Sequence, residues 1–285
     1  MERQFDGPPP ATPVPEGAID TQTHIYLPGF PAAPGAIPLP EGLPSPADYA
    51  RVMRRLGTER VIITQSNAHQ CDNANLSACL AAMGDVARGV AAITGAESDA
   101  TLAALADAGI VGARIMDLPG GAVSLASLEA VDATASRMGW MIAVQFDASN
   151  IVALEPSLSR LKSRWVLDHH GKFFSGAPRG GPERAALKRL IDGGHVWYKV
   201  AGCYESSRAP APYADIADLT HDIAHHAPER IVWGTNWPHN LIKVAKDYPD
   251  DAALMDLVLG WLPSDAARRA ALLTNPEALY NWPAG

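Results

Sequence analysis

Three short motifs carry side chains able to do chemistry. Asp20-Thr21-Gln22-Thr23-His24 ends a short apolar run near the N-terminus. The spacing is that of a metal-binding Asp-x-His-x-His strand end, with glutamine where the first histidine would stand. Imidazole is a good ligand for zinc, manganese or iron, and a carboxamide is a poor one. Far downstream, Trp233-Gly234-Thr235-Asn236-Trp237-Pro238-His239 places Asn236 where a carboxylate would be expected, and Val166-Leu167-Asp168-His169-His170-Gly171 adds imidazoles. An asparagine cannot take a proton from water near neutral pH, but its amide can donate a hydrogen bond. The pattern predicts a hydrolase scaffold without a metal, in which His24 and His169 move protons, since an ordinary histidine titrates near pH 6.5.

The elements that would position these groups alternate along the chain. Strand-like runs fall at 18–24, 60–65, 87–93, 111–115, 141–146, 165–169, 196–200 and 230–233. They are apolar almost throughout, as parallel strands covered on both faces must be. Helical segments are expected at 47–56, 74–83, 101–108, 124–138, 151–162, 182–191 and 213–226. Ser45-Pro46, Asp72-Asn73 and Ser98-Asp99 supply starts for the first three. Eight such repeats predict an α/β fold of the (β/α)8 barrel type over residues 18–285, preceded by a flexible proline-rich arm at 1–17. A doubly wound open sheet is the alternative, but no Gly-x-Gly-x-x-Gly turn follows the first strand.

Barrel chemistry sits at the C-terminal ends of strands. Those ends carry Gln22, His24, Asn67, Arg114, His169, Lys199 and Asn236. Arg114 is the best bidentate partner for a substrate carboxylate, with Lys199 second. Asn67, His69 and Tyr204 are candidates for binding substrate hydroxyls. The long, proline-rich stretch 27–44 is expected to wall the pocket. His221-Asp222-Ile223-Ala224-His225 approximates a helical zinc motif, but it lacks the glutamate and a third ligand, so a solvated helix end is expected.

These motifs, together with the tail Asn275-Pro276-Glu277-Ala278-Leu279-Tyr280, resemble the amidohydrolase superfamily, and within it the 2-pyrone-4,6-dicarboxylate lactonase-like branch. The resemblance runs from residue 18 to residue 283. It implies a distorted (β/α)8 barrel that works without metal, using the metal positions for substrate and proton transfer. It also implies a cationic role for Lys172. Glutamine at the first position and asparagine at the last resemble members that isomerise sugar-acid lactones, interconverting the 1,5- and 1,4-lactones of galactaric acid. Loss of the water-activating carboxylate lets a substrate hydroxyl attack the lactone carbonyl instead, favoured by the high effective molarity of a tethered nucleophile. Hydrolysis of a related carboxylated lactone, or binding without turnover, are the alternatives.

The net charge of −8 and the absence of a Lys/Arg run argue against nucleic acid as a partner. Three cysteines in no paired spacing, and no apolar run of membrane-spanning length, fit a reduced, cytoplasmic protein. No cofactor and no metal are expected; the partner is a small sugar-acid lactone.

Overall fold

A computed structural model describes residues 3, 5–244 and 247–283. Eight parallel strands follow one another round a barrel in sequence order: β1 Ile19–Thr23, β2 Arg60–Thr64, β3 Ala87–Ala91, β4 Ile110–Asp117, β5 Met141–Phe146, β6 Trp165–Leu167, β7 Val196–Val200 and β8 Ile231–Trp233. The ring closes beyond β8: the His24 N–H donates to the Trp237 carbonyl at 2.8 Å, and the Asn236 N–H donates to the Gln22 carbonyl at 2.9 Å. The expected (β/α)8 architecture is therefore present, and the open-sheet alternative is not.

The helices are α1 Pro46–Leu56, α2 Ala74–Met83, α3 Asp99–Asp107, α4 Leu128–Met138, α5 Ile151–Leu158, α6 Pro182–Asp192, α7 Cys203–Ser206, α8 Ala214–His226, α9 Asp251–Leu259, α10 Asp265–Leu272 and α11 Thr274–Tyr280. Ser45 and Asp48 form a capping box ahead of α1, and Ser98 caps α3. Asn73 makes no cap; its amide instead clamps the backbone of Ala92 beyond β3. The last three helices were not anticipated. Among the described residues, no helix is long and apolar enough to cross a membrane.

Strand alternation stacks chemistry on an apolar floor. Ile19, Ile62, Val90, Ala143, Val166, Trp197 and Val232 form a buried cluster inside the barrel, closed by Leu279 and Tyr280 of α11. Two residues further along the strands, the same inward direction belongs to Thr64, Arg114 (after Gly112), Gln145, Asp168 and Lys199. In β1 the alternation is broken, because the pairing with β2 slips between Asp20 and Thr23. This extra residue brings Gln22 and His24 to the interior above Ile19.

The outward-facing side chain just before the slip, Asp20, fastens the barrel seam. Its Oδ1 accepts the N–H groups of Gln22 and Thr235, both at 3.0 Å. Its Oδ2 accepts the hydroxyls of Tyr49 at 2.7 Å and Thr235 at 2.5 Å. The motif's aspartate is thus a structural pin. The stretch 5–17 makes contacts with the barrel: the Ala11 and Thr12 N–H groups donate to the Asp256 carboxylate at 2.8 and 2.7 Å, and Phe5 lies under the Arg51 guanidinium. The Leu27 side of the 27–44 loop is tied down as well, through the Ala33 N–H to the Ala68 carbonyl at 2.7 Å.

Replacing Asp20 with alanine strands four buried donors at the seam. Urea denaturation should show a loss of about 3–5 kcal/mol, as expected when a buried charged partner is removed from its network.

Candidate active site

The polar layer at the C-terminal mouth is organised around Lys199, which is 0% exposed. Its Nζ donates to Gln22 Oε1 at 2.9 Å and lies 3.1 Å from Asp168 Oδ1, at ion-pair distance though without hydrogen-bond alignment. Burial works against the ammonium, but Asp168 beside it outweighs this with help from Tyr280, so the pKa of Lys199 is raised. Burial likewise opposes the Asp168 carboxylate, and Lys199 and His169 hold it well below the usual carboxylate range. Because Lys199 occupies the oxygen of Gln22, the Gln22 Nε2 is turned inward, where its one contact is a long 3.5 Å approach to His24 Nε2.

His24 offers a lone pair. Its Nδ1 donates to the Thr64 carbonyl at 2.8 Å, which leaves Nε2 unprotonated in the neutral ring. Burial, followed by the charge of Arg114, lowers its pKa to about 3. His169 offers a hydrogen: its Nε2 lies 3.0 Å from Asn236 Oδ1, an oxygen that can only accept, and its Nδ1 lies 3.3 Å from Asp168 Oδ1.

His169 does not end a strand as expected. β6 stops at Leu167, and His169, His170, Gly171 and Lys172 all take left-handed backbone angles. Three of these are not glycine, a conformation that costs about 1 kcal/mol or more per residue. The turn sends His169 and Lys172 towards the site and His170 to the barrel wall, where His170 Nδ1 meets Thr220 Oγ1 at 3.0 Å. Burial also lowers the His170 pKa to about 3.

Arg114 is buried and carries no carboxylate partner among the described residues. Nη1 donates to the Gln65 carbonyl at 2.7 Å and Nη2 to Gln145 Oε1 at 3.1 Å, while Nε has no partner. A fixed cation bound only by neutral acceptors fits the carboxylate receptor expected of it. Asn67 touches it, with Oδ1 at 3.5 Å from Nη1.

Several expected substrate ligands have partners within the protein. Lys199 is closed off by Asp168 and Gln22. His69 donates Nε2–H to the Phe30 carbonyl at 3.2 Å and so secures the 27–44 loop. Lys172 pairs with Glu205 Oε2 at 2.7 Å. The Tyr204 hydroxyl lies 2.7 Å from His239 Nδ1, and His239 Nε2 lies 2.9 Å from Asp251 Oδ1. Asn236, expected to donate to the lactone carbonyl, directs its Nδ2 to Tyr204 at 2.8 Å and to Glu205 Oε1 at 2.9 Å.

Glu205 is the residue at the mouth that the sequence reading missed. It sits on α7, a four-residue turn with no periodic signal, entered through Gly202 at φ +58°. A Cβ on Gly202 would stand 2.8 Å from Asn236 Nδ2 and 3.0 Å from His169 Cδ2, so only glycine lets this turn pack against the pair. Burial pushes the Glu205 carboxyl up, but Lys172, His169 and the hydrogen bonds outweigh it and hold its pKa below the ordinary value.

Among the described residues no cluster of three or more His, Cys, Asp or Glu could hold a metal ion. A groove of about 1360 Å³ lies at the opposite end of the barrel beside Arg60, Arg88 and Trp282, and holds none of these groups.

A depressed histidine pKa favours the fold above the unfolded value of 6.5, and that contribution is lost as the pH falls towards 3. His24 and His170 should each remove on the order of 1 kcal/mol of stability per pH unit below 6.5. Thermal unfolding followed from pH 7 to pH 5 should show this slope. His170→Asn, which tolerates the left-handed backbone, should make it shallower.

A D-galactarolactone isomerase of Agrobacterium fabrum is 56% identical over 281 residues, covering 98% of this chain and 96% of that one. A 2-pyrone-4,6-dicarboxylate hydrolase of Comamonas testosteroni is 30% identical, covering 96% and 93%, and a 4-sulfomuconolactone hydrolase of Rhizobium radiobacter is 29% identical, covering 94% and 91%. A crystal structure of an Agrobacterium tumefaciens protein superimposes with a TM-score of 0.97 at 56% identity, over 99% of this chain and 100% of that one. The amidohydrolase profile matches residues 19–282, and with the barrel and its mouth in view the chain belongs to the amidohydrolase family.

Proposed function

We propose that the protein is a sugar-acid lactone isomerase that interconverts D-galactaro-1,5-lactone and D-galactaro-1,4-lactone without a metal. The observation that carries this reading is the 56% identity, over nearly the whole chain, to an enzyme named for that activity. The donor set supports the metal-free part: Gln22 and Asn236 are poor ligands, and the Lys199 ammonium already supplies a positive charge 2.9 Å from Gln22 Oε1.

The chemistry follows from where hydrogens and lone pairs are fixed. The substrate carboxylate binds Arg114 through its free Nε–H and the outer guanidinium edge. Burial is the main depressant of His24 and the Arg114 charge the next; the anion offsets the second, making Nε2 a better base at the moment of binding. His24 takes the proton from the C4 hydroxyl as O4 attacks C1. Gln22 Nε2–H and His169 Nε2–H stabilise the oxyanion. As the C1–O5 bond breaks, His24 returns the same proton to O5, which is on the carbon next to C4. One imidazole therefore serves both oxygens and ends the cycle unchanged.

Water competes poorly because the nearby carboxylates are engaged. Asp168 is held by Lys199 and His169, Glu205 by Lys172 and Asn236, and Asp20 by four donors. Lactone hydrolysis is the second reading, favoured by the hydrolases at 29–30% identity.

Incubation with D-galactaro-1,5-lactone in ¹⁸O-water, followed by NMR and mass spectrometry, separates the two. The expected first product is unlabelled 1,4-lactone; labelled open-chain aldarate appearing first would reject isomerisation. Activity should survive dialysis against a chelator. Arg114→Met should lower kcat/KM by about 10²-fold or more, because it removes the charged partner of the carboxylate.

A further inference from the structure

We propose that Glu205 is a positioning residue: anchored on Lys172, its carboxylate fixes the side-chain amide of Asn236 and thereby keeps the hydrogen of His169 on Nε2. The proposal rests on the isomerase reading only for its effect on rate.

The polarity of the chain of contacts is forced at each step. Glu205 Oε2 accepts from Lys172 at 2.7 Å, and Oε1 lies 2.9 Å from Asn236 Nδ2. A carboxylate can only accept, so Asn236 must present its NH2 there. The second amide hydrogen meets the Tyr204 oxygen at 2.8 Å. That oxygen is free to accept because its own hydrogen goes to His239 Nδ1, a bare nitrogen since Nε2–H is given to Asp251. The Glu205 carboxylate therefore turns Asn236 Oδ1 towards His169 Nε2 at 3.0 Å, and the rotatable Tyr204 hydroxyl follows the orientation it sets. Nε2 must carry the hydrogen, which rests on Asn236 until a substrate oxyanion takes it. The side chains of Lys172 and Glu205 are 5% and 9% exposed, so water does not relieve this constraint.

An ion pair that merely stabilised the fold would predict something different from this lock, and Glu205→Gln separates the two. A glutamine has one oxygen for two demands. Lys172 claims it by charge, the new NH2 faces Asn236, and the asparagine amide rotates as the Tyr204 hydroxyl turns its hydrogen from His239 to the amide oxygen. His169 then meets a donor, and its hydrogen moves to Nδ1, facing Asp168 Oδ1 at 3.3 Å.

Long-range ¹H–¹⁵N spectra at about pH 8, where an ordinary imidazole is neutral, report the tautomer directly, with His169 assigned by its loss in His169→Gln. The expected wild-type form carries hydrogen on Nε2. In Glu205→Gln it should move to Nδ1, with kcat down about 10²-fold, the effect of losing one oxyanion donor, and KM changed by less than about threefold. Adding Lys172→Met to Glu205→Gln removes the competing charge, so the Nε2 hydrogen and at least about tenfold of kcat should return. A wild-type hydrogen on Nδ1 alone, or an unchanged tautomer in Glu205→Gln, would overturn the proposal. If Glu205→Gln does not fold, the wild-type spectrum still decides. A tautomer shift in a protein that turns over no lactone would leave this lock standing and reject the isomerase reading.

Discussion

The ammonium of Lys199 is the fixed point of the active-site mouth. A lysine with no exposure inside a barrel is costly unless its charge is matched, and Asp168 matches it at 3.1 Å. Once the pair is formed, neighbouring side chains lose their freedom. Gln22 must turn its oxygen to the ammonium and its NH2 inward. Asp168 lies beside His169 Nδ1, and the left-handed turn after β6 fixes that ring. The barrel supports the pair from below with an apolar layer that excludes water, which strengthens the attraction as it raises the cost of leaving either charge alone.

Much of this could be read from the chain. Apolar strand runs separated by capped helices gave the barrel, and the rule that chemistry gathers at strand ends located Gln22, His24, Arg114, His169 and Asn236. Alternation explains why: Val166 and Trp197 point inward, so Asp168 and Lys199 must follow them. The rest depended on local geometry without a sequence period. The slipped register in β1 decides that Gln22 and His24, and not Thr21 and Thr23, face the interior. The left-handed run at 169–172 costs backbone energy that only the packed structure can offset. Glu205 was missed because a four-residue turn shows no periodicity. Lys172, Lys199, His69 and Tyr204 could be recognised as polar groups near the mouth, but their partners could not, since a sequence does not say which cation already has its anion.

Two residues of the first strand motif are divided between architecture and chemistry. Asp20 closes the seam with four donors, although burial pushes its pKa up to about 6. Gly234 allows that closure, since a Cβ there would stand 2.6 Å from the Gln22 Cβ. The seam and the site are therefore one construction: the backbone that Asp20 holds is the backbone that carries Gln22 and Asn236.

The asparagine at 236 takes on a different meaning beside Glu205. Taken alone, it is a missing base. In the structure a carboxylate is present 2.9 Å away, on the loop of the neighbouring strand. An aspartate at 236 would bring two negative charges into contact in a buried site, and one of them would have to take up a proton. Asparagine avoids that conflict and has a donor for Glu205 and an acceptor for His169 on the same amide. The carboxylate has in effect moved from the position where it could activate water to one where it orients an amide. In the proposed isomerisation, a site built in this way has its proton donors fixed, its carboxylates occupied, and a base in His24 that takes a proton from one substrate oxygen and returns it to the next. Those features favour acyl transfer within the substrate over transfer to solvent.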